Sequence, residues 1–159
     1  METTHATAAN AELTLRLYDL RRETEMRKAR NWFAGEFTPR SFSDLEQTMM
    51  QFDSPQSRWF RQVLSYWDMA AALVSNGALH PGLFYDSCGE AWFCFAKMKP
   101  FIQECRTKFS PEFLVNLEKV IESTAEGRKR LQEMQDRIAR FSAMAQDKKK
   151  QQTQASDAA

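Results

Sequence analysis

The stretch YDSCGEAWFCFAKMKPF, Tyr85 to Phe101, holds two of the three cysteines, the acids Asp86 and Glu90 four residues apart, Lys97 and Pro100. Three kinds of chemistry start from such residues. Structural zinc takes four Cys or His ligands at characteristic spacings. Here Cys88, Cys94 and Cys105 are six and eleven residues apart, and His5 and His80 are the only histidines. At about 100° per helical residue, Cys88 and Cys94 point about 120° apart. A di-iron bundle needs two Glu-x-x-His motifs on its helices, and the chain has one, Glu2 to His5, ahead of the first expected helix. No metal ligand set and no cofactor are expected.

Thiol catalysis needs a cation or helix N-terminus to lower the thiol pKa, with a histidine as base. His80 precedes Cys88 by eight residues, about two turns. Cys88 and Cys105 fall on an apolar stripe, where cysteine acts as a small hydrophobe, so the structural reading is preferred. Asp86 and Glu90 would share one helix face. An enzyme can use such a like-charge pair to raise one pKa, but a solvated face tolerates it at a cost of a few tenths of a kcal/mol. Lys97 stands where it could neutralise Glu90. Gly89 would let a neighbouring helix approach. Asp68, beside Trp67 in SYWDMAA, could accept a hydrogen bond from a Trp or Tyr. The chain carries no Gly-rich phosphate loop, GxSxG, HExxH, kinase or Rossmann fingerprint. No catalytic residue is assigned.

The elements that would position these residues are all helical. Asn10 can cap a first helix on which Leu13, Leu17 and Leu20 share a face, with a bend at Thr24 and an end at Gly35. Ser43 to Glu46 has the capping-box pattern and starts a second. Ser54-Pro55 starts a third, with Trp59, Val63, Trp67, Ala70 and Val74 on one stripe and Asn76-Gly77 at its end. His80-Pro81 starts a fourth, striped by Phe84, Cys88, Ala91, Phe95, Met98, Ile102 and Cys105, with a kink or break before Pro100. Ser110-Pro111 starts a fifth. Its stripe runs Leu114, Leu117, Ile121, Thr124, Leu131, Met134, Ile138 and Phe141 in heptad-like steps, with Arg128 as the polar interruption, as far as Ala145. The expected organisation is a disordered N-terminus over 1–9, an all-α bundle of four to five helices over 10–123, a C-terminal helix extension over 124–145 and a disordered tail over 146–159.

Composition agrees. The chain of 159 residues is 43% hydrophobic, with 12 Phe, 4 Trp and 3 Tyr, so a core needs no metal or disulfide. Five Gly and five Pro are too few for the turns of an all-β fold. Basic and acidic residues balance at 22 and 21, so the whole protein exerts no strong field on nucleic acid or membrane. Three cysteines without a CxxC point to a reducing compartment. The opening METTHATAANAEL has no basic and apolar signal-peptide regions, and no segment reaches the length of an apolar membrane span, so a cytoplasmic location is expected.

The residues LYDLRRETEMRKARNWF, followed by YWDMAAALVSNGALHPGLFYDSCGEAWFCFAKMKPFIQECR, resemble a family of bacterial and phage-associated helical domains of unknown function. That layout is an arginine-rich first helix, an aromatic helix ending in a glycine turn, and a long aromatic helix ending here in Lys99-Pro100-Phe101-Ile102. The resemblance spans roughly Leu15 to Glu122. It implies a helical fold and assigns no activity. Many members of the family begin with a membrane-spanning helix, and no such segment is read here.

Three functions follow as expectations. The first is a non-enzymatic interaction module that binds a protein partner or a second copy through Leu131, Met134, Ile138 and Phe141 on the C-terminal helix. The second is an enzyme or small-molecule binder with a pocket between the third and fourth helices, lined by Trp67, Asp68, Tyr85 and Glu90. The third is a nucleic-acid accessory protein using the basic segment from Glu126 to Lys150, where eight positive residues face four negative ones. The first is preferred.

Overall fold

Helices account for the apolar spacing throughout. A computed structural model describes residues 5–157, with side chains as far as Lys148. Its order is α1 (Ala8–Arg22), α2 (Thr24–Gly35), α3 (Phe42–Met50), α4 (Pro55–Ser75), α5 (Pro81–Ser87), α6 (Gly89–Met98), a 3-10 turn (Lys99–Phe101), α7 (Ile102–Lys108), α8 (Val115–Glu122) and α9 (Ala125–Asp157). The chain is all-α, and the helices exceed the four to five expected because long apolar stripes are cut into shorter pieces.

The cuts have local causes. Thr7 caps α1, and Asn10 is the reciprocal partner in its capping box, so the cap lies three residues earlier than expected. Glu23 separates α1 from α2 and its carboxylate accepts from the Met26 N–H. Ser41 and Asp44 form the capping box of α3, two residues before the predicted Ser43, and Glu46 pairs instead with Lys108 at 2.9 Å. The α4 start at Ser54-Pro55 and end at Asn76 match the sequence signals, with Gly77 at φ +73° as the left-handed turn residue. The fourth predicted helix is interrupted at Cys88, which ends α5 and begins α6, and at Pro100. Its apolar face survives both breaks. Phe84, Cys88, Ala91, Phe95, Met98, Ile102 and Cys105 are all buried.

The fifth predicted helix does not start at Pro111. Residues 111–114 turn, Leu114 sits in the left-handed region at φ 53°, and α8 begins at Val115. Burial of the Leu114 side chain offsets a backbone cost of about 1–2 kcal/mol. The largest departure is at Ser123 and Thr124, where the chain breaks between α8 and α9. A single continuous helix from Pro111 to Ala145 is thereby excluded. The proximal part of α9 folds back against α6 and α8. α9 continues to Asp157, through positions where a disordered tail was expected. The Lys, Gln and Ala there are good helix formers that extend a helix already nucleated.

The core is aromatic. α2 and α4 pack closely through Trp32, Phe33, Phe37 and Phe60, with ring centroids 5.1–6.5 Å apart. α4 also packs on α8, and α6 on α9. Trp67 and Trp92 are the largest fully buried side chains.

Candidate functional site

The four residues expected to line a pocket each have a structural use. Trp67 is fully buried. Asp68 accepts from the Leu117 N–H and from Asn116 Nδ2, both at 2.9 Å, and so caps the start of α8 from α4. It does not bond the Trp or Tyr of its own helix. The Trp67 indole N–H is left without a partner among the described residues. Tyr85 donates to Val120 O at 3.1 Å and meets Thr124 Oγ1 at 2.8 Å, which ties α5 to the α8–α9 reversal. Glu90 binds Arg30 Nε through both oxygens at 2.9 Å, and this raises the Arg30 pKa. These groups point to three different helix junctions and do not converge on one cavity.

The other reactive residues are similarly placed. Asp86 is exposed, and the break at Cys88 separates it from Glu90. Cys88, Cys94 and Cys105 are free and buried, and burial pushes their thiols up, Cys105 to about 12. A protonated thiol is a poor nucleophile, which favours the structural reading of all three. Among the described residues, no three His, Cys, Asp or Glu side chains are grouped to hold a metal ion.

Lys97 does not reach Glu90. Its ammonium donates to Phe33 O at 2.6 Å and stands 5.2, 5.6 and 5.2 Å from the ring centroids of Phe33, Phe37 and Phe93. Burial lowers its pKa to about 8, against the attraction of the three rings for the cation. Sequence reasoning missed this because Phe33 and Lys97 are 64 residues apart.

Gly89 does not mediate a close approach, since a Cβ there would meet nothing within 4 Å. Gly127 does. A Cβ on it would lie 2.0 Å from Ile121 O and 2.7 Å from the Tyr85 hydroxyl. Its carbonyl accepts from the Trp92 indole N–H at 3.1 Å. The α9 start is thus seated against the bundle, and a groove of about 140 Å³ remains beside it, lined by Gly89, Trp92, Arg130, Glu133, Met134 and Arg137.

This seat redistributes the expected interface. Leu131 is buried in the core, and Met134 and Ile138 pack against it. Phe141 is 64% exposed and Met144 57%. Of the four interface candidates, only Phe141 faces solvent. Met144 joins it at helical spacing and was not singled out by the heptad steps.

Fold and side-chain placement define an all-α domain whose conspicuous residues hold helix junctions together. Residues 6–124 match the family described as domain of unknown function DUF4760, and the chain belongs to that family. The matched region ends where α8 gives way to α9. No curated protein and no solved structure matches the chain. Among the described residues, no helix is long and apolar enough to cross a membrane.

Proposed function

We propose that this protein is a non-enzymatic interaction module, whose helical bundle presents the distal part of α9 to a partner. The supporting observation is the exposure of Phe141 and Met144 one turn apart, beyond the point where Ile138 leaves the core. Burying a side chain of either kind contributes about 1.5–3 kcal/mol, so the pair is an anchor that the bundle itself leaves unused. The family match stops before α9, which fits an element added to the shared domain.

The test is a chain ending at Ala139. A cut at Ser123 would instead remove the Gly127 carbonyl from Trp92 and Leu131 from the core. The shortened chain is expected to keep the thermal midpoint of the full chain. Light scattering on both then reads self-association. A heavier full chain makes the partner a second copy, and equal masses make it a different surface. A shortened chain that fails to fold would sink the proposal, because the distal helix would then belong to the fold.

A further inference from the structure

The exposed pair on α9 is framed by charge. At about 100° per residue, Arg137, Phe141, Met144 and Lys148 fall within an arc of about 60°, turned about 80° from the face formed by Leu131, Met134 and Ile138. The four span about 16 Å of helix. The ion pairs on this helix are Lys129–Glu133 and Arg130–Glu126, so among the described residues Arg137, Arg140 and Lys148 have no ion-pair partner. Residues 137–150 contain five basic residues and one acid, Asp147, so this segment is strongly positive in a chain whose net charge is +1. The rest of the chain is therefore net negative.

We infer, building on the proposal above, that this stripe docks on an anionic phospholipid bilayer. Phe141 and Met144 enter the boundary between headgroups and acyl chains. Arg137 and Lys148, on long apolar stems at either end, reach the lipid phosphates. The charge pattern selects this occupant. Antiparallel pairing of two copies across the apolar pair sets Arg137 opposite Lys148, and parallel pairing sets each cation over itself, so a second copy meets repulsion. A nucleic-acid backbone would satisfy the cations but leave Phe141 and Met144 against phosphates. A bilayer supplies an anionic layer and an apolar layer in the order the stripe requires. The net negative remainder of the chain is repelled by the same surface, which orients the molecule with distal α9 toward it.

The experiment is co-sedimentation of the full chain with phosphatidylcholine vesicles, with and without about one quarter phosphatidylglycerol, at about 50 mM salt. Binding to the anionic vesicles alone is expected, fading as salt rises. Reversing both cations, R137E with K148E, is expected to weaken binding about 100-fold, and F141A with M144A at least 10-fold. Both variants change exposed positions and should keep the wild-type thermal midpoint. K28E, on the bundle surface, should bind as wild type does. Equal binding to neutral vesicles, no binding to either, or binding indifferent to the stripe would overturn the inference. So would stripe-dependent binding to duplex DNA in place of vesicles. If vesicle binding fails while the chain ending at Ala139 keeps its midpoint, the lipid assignment falls and the presented helix stands. If that shortened chain unfolds, both fall.

Discussion

Replacing Gly127 with alanine should destabilise the protein more than its chemistry suggests. In an exposed helix the change would gain up to about 1 kcal/mol from helix propensity. Here the new Cβ would sit 2.0 Å from Ile121 O and 2.7 Å from the Tyr85 hydroxyl. Carbon and its neighbours rest at about 3.5–4.0 Å, so the first turn of α9 must move by more than 1 Å relative to α8. Overpacking of this kind costs about 1–3 kcal/mol. The movement also pulls the Gly127 carbonyl from the Trp92 indole N–H, now at 3.1 Å, and an unsatisfied buried donor adds about 1–3 kcal/mol. The net expectation is a loss of about 2–4 kcal/mol. For a chain of this size that lowers the thermal midpoint by roughly 5–15 °C. Calorimetry and urea unfolding would measure it, with Gly35→Ala as control, since a Cβ there meets nothing within 4 Å. The control should match or slightly exceed the wild type. A Gly127→Ala protein as stable as the wild type would refute the seating of α9, and with it the division of that helix into packed and presented parts.

Two further outcomes follow from single contacts. Asp68→Ala should cost about 1–2 kcal/mol by removing the cap on α8, measured as the shift in urea midpoint; Asp68→Asn, which can still accept, should lose less. Lys97 carries a pH signature. Its folded pKa of about 8 lies below its ordinary 10.5, so the unfolded chain holds the proton more tightly and this group adds stability as pH rises from about 8 toward 10.5. The buried thiols and Tyr66 are shifted upward and remove stability at high pH, from about pH 9 for the thiols. The Lys97 contribution is therefore read as the difference between wild type and Lys97→Met. The advantage of the methionine variant should shrink between pH 7 and pH 9, and a constant difference would count against the desolvated amine.

The helix starts marked by Ser54-Pro55 and His80-Pro81 were legible because capping and proline act within a few residues. The buried stripe from Phe84 to Cys105 was equally legible, since a core face needs only a periodic pattern and tolerates breaks in the backbone that carries it. The α3 cap was misplaced by two residues because Ser41 and Ser43 both offer a suitable oxygen, and the choice depends on how the chain enters the helix.

The sequence by itself determined that this chain is helical, where most of its helices run and, from Phe84 to Cys105, which side chains they bury. Those follow from propensity, capping and period, all local. Only the tertiary structure decided what the conspicuous residues do. Asp68 caps a helix 49 residues away, Glu90 binds Arg30 across 60, and Lys97 finds Phe33 across 64. It also decided that α9 folds back on the bundle as far as Ile138. Reversal at Ser123 and Thr124 requires a residue without a Cβ against the Ile121 carbonyl, and Gly127 meets that need only when α8, α5 and α6 are already in place around it. Leu131 and Phe141 look alike in a heptad pattern, and the depth of the bundle alone separates the buried one from the exposed one.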